Sequence, residues 1–351
     1  MYIKDIKLHN FRNYSDEQVS FNKNVNLFLG DNAQGKTNLL EGIYLNAIGR
    51  SFKNVRDKDL IKFEADYCKI TTTHVAADEE HTTEIVISKD GKKGIKADDV
   101  KLTKTSELLD RLYMIVFSPE DLKIVKEEPE KRRRFIDREL CQIRAGYLAD
   151  LNDYRQILKQ RNAYLKGDSI DKGLLSIWDE QLVRTGSRII EKRKSFIDKI
   201  DKISNGIHQK ITGGKETLEL KYEPNEFDPS LVNEDIRNRT TGHGPHRDDF
   251  KISANGVDLR KFGSQGQQRT AALSLKLSEI KIIEEEKGEK PILLLDDVLS
   301  ELDNERQVYL MNSLGENQMF ITTTDIVGQV AKNLPEGKVV KIRGGEVEVE
   351  I

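Results

Sequence analysis

Cysteine is nearly absent: only Cys68 and Cys141 occur, far apart and without paired spacing. That excludes a disulfide framework and a thiolate metal site, and it fits a reducing compartment. Proline (7) and glycine (24) are too sparse for a low-complexity or collagen-like chain, and aromatics make up only 7% of the residues. Neither charge sign dominates. Lys and Arg number 57 against 60 Asp and Glu, a net charge of −3, so no broad positive field exists and a nucleic-acid site must be a local patch. Long apolar runs are missing as well, residues 292–295 being the run that stands out, and residues 1–12 alternate charged and apolar side chains with no leader-like core. The expectation is a cytoplasmic protein, neither exported nor membrane-spanning. At 351 residues it is long enough for a large core and for more than one domain, or for one domain with an insertion.

What is present falls into two kinds of pattern. Up to about residue 30 the chain reads as strands: Ile3, Ile6 and Leu8, a turn through residues 10–16, then the buried run of residues 25–29, which Gly30 ends. Leu39, Leu40, Ile43, Tyr44 and Ala47 follow at helical spacing. More strands are expected in residues 67–87 and 113–117, with a turn at 90–94. The character then changes. Ile136, Leu140, Ile143, Tyr147, Leu151, Tyr154, Leu158 and Leu165 form one helical stripe, and Leu174, Trp178, Leu182, Gly186, Ile189, Phe196, Ile200, Ile203 and Ile207 form a second. Two such stripes predict an antiparallel hairpin with arms of thirty-odd residues, about 50 Å long at 1.5 Å per residue. Residues 224–229 break the pattern, a long helix follows Ser264, and residues 292–295 and 319–322 are further buried strands. The fold class expected is α/β: a phosphate-loop sheet lobe at residues 1–118 and 241–351, with a helical lobe inserted at 119–240.

Gly30-Asp31-Asn32-Ala33-Gln34-Gly35-Lys36-Thr37 lies between a buried strand and a helix, where a phosphate-binding loop must lie. Its glycines let backbone N–H groups converge on phosphates. Lys36 supplies charge to the β and γ oxygens, Thr37 offers a hydroxyl to Mg2+, and the helix start adds its partial positive charge. The apolar strand Pro291-Ile-Leu-Leu-Leu-Asp296-Asp297 ends in two acids. Asp296 is placed to hold Mg2+, and Asp297 to orient or deprotonate an attacking water. Around Ser264-Gln-Gly266-Gln267 two readings coexist: a capping box, in which Ser264 and Gln267 satisfy each other's backbone donors, and an anion site at an exposed helix start.

These motifs together resemble the ABC-type ATPases. Ser264-Gln-Gly-Gln267 resembles their signature motif, Asp296-Asp297 their Walker B pair, and Ser300-Glu-Leu-Asp303 their D-loop, while Thr323-Thr324-Asp325 stands where they carry the switch loop, usually with His in place of Thr324. Phe117-Ser-Pro-Glu-Asp121, the counterpart of the Q-loop, has no Gln. Leu8-His-Asn-Phe-Arg12-Asn-Tyr14, Asn38-Leu-Leu-Glu41, Arg50-Ser-Phe-Lys53, Arg132-Arg-Arg-Phe-Ile-Asp137, Lys159-Gln-Arg-Asn162 and Gly244-Pro-His-Arg-Asp-Asp249 narrow the resemblance, over nearly the whole chain, to the RecF family, whose heads are similar to SMC heads. The resemblance implies a cytoplasmic, slow, DNA-stimulated Mg2+-dependent ATPase of gap repair and replication. ATP would join two copies head to tail, through Ser264, Gly266 and Gln267 on one copy and the nucleotide held by the other. Arg12, Asn38 and Thr324 would complete the nucleotide site. The partners implied are gapped or junction DNA, RecR and RecO, with roles in recombinase loading and the SOS response.

The basic residues give a weaker signal. Lys53 and Arg56, and Arg132 and Arg133, lie in the two densest clusters and are candidates for DNA phosphates, although nearby Glu127, Glu128, Glu130 and Asp137 fit a solvated helix face equally well. His243, His246, Asp248 and Asp249 could form a metal cluster, but a loop supporting the catalytic head is the preferred reading. A transporter subunit is disfavoured because more than two hundred residues separate the phosphate loop from the signature. A non-hydrolysing structural protein is disfavoured by the intact Asp296 and Asp297. A chromosome-tethering ATPase would need far longer arms.

Overall fold

The computed structural model describes residues 1–53, 55–144, 146–324 and 337–350. Along the chain, strands β1 (Tyr2–Phe11), β2 (Tyr14–Ser20) and β3 (Val25–Leu29) precede helix α1 (Lys36–Ile48). Strands β4 (Tyr67–Ala76), β5 (Glu79–Ser88), β6 (Lys93–Ala97), β7 (Val100–Leu102) and β8 (Met114–Phe117) follow. Then come α2 (Leu122–Lys126), α3 (Pro129–Ile143), α4 (Tyr147–Tyr164), α5 (Lys172–Ile211), β9 (Leu218–Glu223), α6 (Val232–Asn238), β10 (Asp249–Ala254), β11 (Val257–Asp258), α7 (Leu259–Phe262) and α8 (Gln265–Lys287). The chain ends with β12 (Ile292–Asp296), α9 (Asn304–Ser313), β13 (Met319–Thr323), β14 (Gly337–Arg343) and β15 (Glu346–Glu350).

Two compact units result. The first comprises residues 1–119 and 283–351, the second residues 120–282. The chain thus returns to the first unit at residue 283 and not at 241, the boundary expected from the sequence. The reason is β-pairing: β10 pairs with β9 and β11, and this three-stranded sheet keeps residues 249–258 in the second unit.

In the first unit one sheet, ordered β15-β14-β3-β13-β12-β8, is parallel from β14 to β8. Its central strands are apolar on both faces, as strands covered on both sides must be; β3 and β8 are buried throughout. The other sheet, β2-β1-β4-β5-β6-β7, is antiparallel and shows the alternation expected when one face meets the core. Helix α1 packs against strands of both sheets, and Leu39, Leu40, Ile43 and Leu45 are fully buried in the core they share. Parallel strands point one way, so the ends of β3, β12 and β13 open on the same edge, where open α/β sheets bind ligands.

In the second unit the apolar stripes produce a helical hairpin. Arg161 of α4 meets Asp179 of α5 while Asp150 meets Lys192, which makes the two helices antiparallel. The arms are unequal. The first stripe is split between α3 and α4 at Gly146, whose φ of 78° starts a new helix, so the 18-residue α4 spans about 27 Å and the 40-residue α5 about 60 Å. Leu175, Leu182, Ile189 and Phe196 keep strict seven-residue spacing along the buried face of α5. No helix among the described residues is long and apolar enough to cross a membrane.

Candidate nucleotide site

The glycines of the phosphate loop are dictated by their neighbours. Gly35 has φ 119°, and a Cβ there would stand 2.7 Å from Asn13 Nδ2; a Cβ on Gly30 would stand 2.3 Å from the Ile342 carbonyl oxygen. The turn between β1 and β2 props the loop from one side, Asn13 Nδ2 donating to the Gln34 carbonyl (3.0 Å) and Tyr14 OH to the Gly35 carbonyl (3.0 Å). The turn between β14 and β15 props it from another, through Gly344 N–H to Gln34 Oε1 (2.7 Å) and Gly345 N–H to the Gln34 carbonyl (2.9 Å). Asp31, Asn32 and Ala33 are exposed at its tip. Asn13 and Tyr14 lie in a segment that carries the family resemblance, but their role as loop supports, like that of Gly344 and Gly345, was not readable because the partners are distant in sequence.

Lys36 is 8% exposed and donates to the carbonyls of Gly30 and of Asp31 (2.9 Å), which folds its ammonium back over the loop. Burial lowers its pKa, against an opposing pull from Asp297, Asp31 and Asp296. Thr37 Oγ1 donates to Asp296 Oδ1 at 2.7 Å, which joins the first turn of α1 to the tip of β12. Thr322 Oγ1 also donates to that carboxylate (3.0 Å) and accepts from the Asp297 N–H (2.9 Å). Asp297 is held at φ 52°, a left-handed conformation that costs a non-glycine residue about 1–2 kcal/mol. Backbone strain of this kind gathers where a side chain must be aimed. Thr324 is exposed just past β13, and Asp325 lies outside the described residues. Ser300 donates to the Asp297 carbonyl, and Asp303 caps α9.

Arg12 is tied to a buried acid beside the phosphate loop. Its guanidinium grips Glu41 with two bonds of 2.9 Å and donates to the Asp59 carbonyl (2.8 Å). Glu41 is fully buried and also takes the Ser51 hydroxyl, with Lys53 Nζ at 3.6 Å. Lys53 further donates to Asn38 Oδ1 (3.2 Å), and Asn38 donates to Asn13 Oδ1 (2.8 Å). Lys53 is therefore tied to the surroundings of the phosphate loop although, like Arg56, it is exposed.

In the second unit, Ser264 and Gln267 form the reciprocal capping box: Ser264 N–H donates to Gln267 Oε1 (3.0 Å) and Gln267 N–H to Ser264 Oγ (3.2 Å). Ser264 is exposed and Gly266 half-buried at the start of α8. Arg132 corrects the sequence reading. It is 3% exposed and grips Asp249 at 2.6 and 2.9 Å, and its Nη1 donates to the carbonyls of Ile124 and Glu127, so four of its five N–H groups are used within the chain and the side chain is buried away from a DNA backbone. Arg133 is half-buried and donates to the Asp248 carbonyl (2.7 Å). The loop at residues 244–249 is bound into the helical unit, its side chains bonding to Arg132 of α3, Tyr154 of α4, Arg193 of α5 and Tyr222 of β9. No group of three or more potential metal ligands occurs among the described residues.

A parallel sheet with a phosphate loop after one strand and an acid pair after the strand two places along, in a chain that also carries the signature motif, defines an ATP-binding head of the ABC type. The family model "RecF/RecN/SMC N terminal domain" matches residues 2–337. The "DNA replication and repair protein RecF" of Agathobacter rectalis is 45% identical over 99% of both chains, and that of Clostridium tetani 43% identical over 99% of both. A solved structure described as the recombination mediator protein RecF-ATP in the RecFOR pathway superposes with a TM-score of 0.92, at 39% identity, covering 100% of this chain and 97% of the other. An SMC head bound to the C-winged helix domain of ScpA shares the fold alone, with a TM-score of 0.60 at 19% identity over 100% and 98% of the chains. The chain belongs to the RecF family within the RecF/RecN/SMC group.

Proposed function

We propose that this chain is an ATP-hydrolysing, DNA-binding protein of DNA replication and repair, in which ATP joins two copies head to tail on DNA and hydrolysis releases them. The observation that carries this reading is the 2.7 Å bond from Thr37 to Asp296, which brings the phosphate loop and the acid-tipped strand into one site. Two oxygen ligands so close, one an anion, suit Mg2+, and Thr37 and Asp296 would hold it. When bound, the ion supplies positive charge to the β and γ phosphates.

The chain's own groups do the rest. Lys36 leaves the Gly30 and Asp31 carbonyls for the phosphate oxygens, the N–H groups at the start of α1 point at the same anion, and Asp297 orients and deprotonates the attacking water. Thr324 sits where a γ-phosphate sensor would act. Ser264, exposed within its capping box, contacts the γ-phosphate held by the other copy. Gapped or junction DNA is the substrate class, RecR and RecO are the partners, and the cytoplasm is where the protein works; the RecFOR pathway named for the solved relatives supports the DNA and partner reading.

The test is hydrolysis by the purified protein, with and without gapped DNA. Lys36→Ala is expected to abolish turnover and weaken ATP binding at least tenfold, because the triphosphate loses its main side-chain cation. Turnover near that of the natural protein would reject the site.

A further inference from the structure

The turn at residues 244–249 is built with more polar bonds than its size needs. Asp248 is fully buried and accepts from Arg193 (2.8 Å), from the Tyr222 hydroxyl and from the Asn225 N–H (2.6 Å). Arg193 also donates to the Pro245 carbonyl (2.6 Å) and to Asp137 (2.8 Å). Asn225 Oδ1 accepts the Gly244 N–H (2.8 Å), and Tyr154 OH meets His246 Nδ1 at 2.7 Å. A Cβ on Gly186 of α5 would lie 3.3 Å from Pro245, so the helix itself is shaped to the turn. Buried ion pairs add little net stability compared with apolar packing; what they provide is one fixed geometry.

That geometry presents one side chain. The main chain of Arg247 is fixed, its N–H donating to the Gly244 carbonyl (2.8 Å), while its exposed side chain makes no hydrogen bond or ion pair among the described residues. The local acids are already matched: Asp249 by Arg132, Asp248 by Arg193, Asp137 by Arg193 and Arg155, and Glu130 by Arg134. Arg247 has no acid paired with it, and the half-buried Arg133 lies against the same turn, donating to the Asp248 carbonyl with Asp249, Asp248 and Glu130 around it. That bond ties Arg133 to the residue next to Arg247; both arginines also face His246, whose pKa burial lowers to about 4, the two cations adding to the fall and the bond it donates to the Thr241 carbonyl opposing it. A guanidinium on a rigid mount loses little entropy when it engages a phosphate in two bonds.

We propose that Arg247, mounted on the turn at residues 244–249 and backed by Arg133, is the contact of the helical unit with the phosphate backbone of DNA. The proposal rests on the DNA-binding reading above and replaces Arg132 as the cation of this region. Each phosphate neutralised on duplex DNA steepens the log-affinity against log-salt slope by about 0.9.

The experiment is titration of a fluorescent gapped duplex with the full chain and ATP at several salt concentrations, with sedimentation run in parallel. For Arg247→Gln the slope is expected to flatten by about 1 per protomer, with ATP-driven dimerisation and DNA-free hydrolysis unchanged, and Arg247→Lys restores the slope. If the natural protein binds DNA and Arg247→Gln binds with the same affinity and slope, the proposal is wrong while the DNA-binding reading stands. If the natural protein shows no salt-dependent DNA binding, both fall. Loss of the ATP-driven dimer in Arg247→Gln would also overturn the proposal, since the arginine would then serve a contact between copies.

Discussion

Glu41 shows at the residue scale how this site differs from its motif. A carboxylate on the second turn of α1, fully shielded from solvent, takes Arg12 in a two-bond grip together with the Ser51 hydroxyl, and Lys53 stands close by. Glu41→Gln keeps the volume and removes the charge, so the grip on Arg12 loses its anion. The expected cost is about 1.5–3 kcal/mol, the usual worth of hydrogen bonds to a charged group, read by urea unfolding. A change below about 0.5 kcal/mol, the size expected of an inert surface substitution, would show that the pair does not hold this corner. None of this was legible in the sequence: Arg12 and Glu41 are 29 residues apart, and Arg132 and Asp249 are 117 apart. Ion pairs at such separations leave no local period or spacing to read. The loop around Lys36 and the box around Ser264 were legible because each satisfies its own backbone within a few residues.

Among the elements, α5 was the easiest to read and its surroundings the hardest. An apolar repeat kept at seven-residue spacing from Leu175 to Phe196 survives local disturbance, whereas the break between α3 and α4 is invisible in the stripe, because both pieces carry buried apolar residues at helical spacing. Strands β9 and β10 escaped because their runs are short and half charged, as in Leu218-Glu-Leu-Lys-Tyr-Glu223. That omission moved the expected boundary to residue 241. Arg193 ties α5 to this region through Asp137 and Asp248. Arg193→Met would leave the buried Asp248 without its cation and Asp137 with Arg155 alone, at a cost of about 3–5 kcal/mol. Trp178, the sole tryptophan, lies in the same helix, so its fluorescence during urea unfolding reports on this unit directly. An unchanged midpoint would mean that the network contributes nothing to the fold.

For the molecule as a whole, a net charge of −3 means that DNA affinity must come from placing local cations, and two copies joined in one body would carry two sets of them. Everything then depends on whether ATP joins the copies through the start of α8. Capping and trans-phosphate contact make different demands on Ser264. A cap alone is worth about 1 kcal/mol of stability and has no bearing on association. A contact with the partner's γ-phosphate cannot tolerate a bulky side chain there. Sedimentation velocity of the natural protein and of Ser264→Arg, each saturated with ATP and Mg2+ and each checked for ATP binding, separates the two. The natural protein is predicted to sediment as a dimer and Ser264→Arg as a monomer with unchanged ATP affinity; a normal ATP-dependent dimer of Ser264→Arg would contradict the composite site.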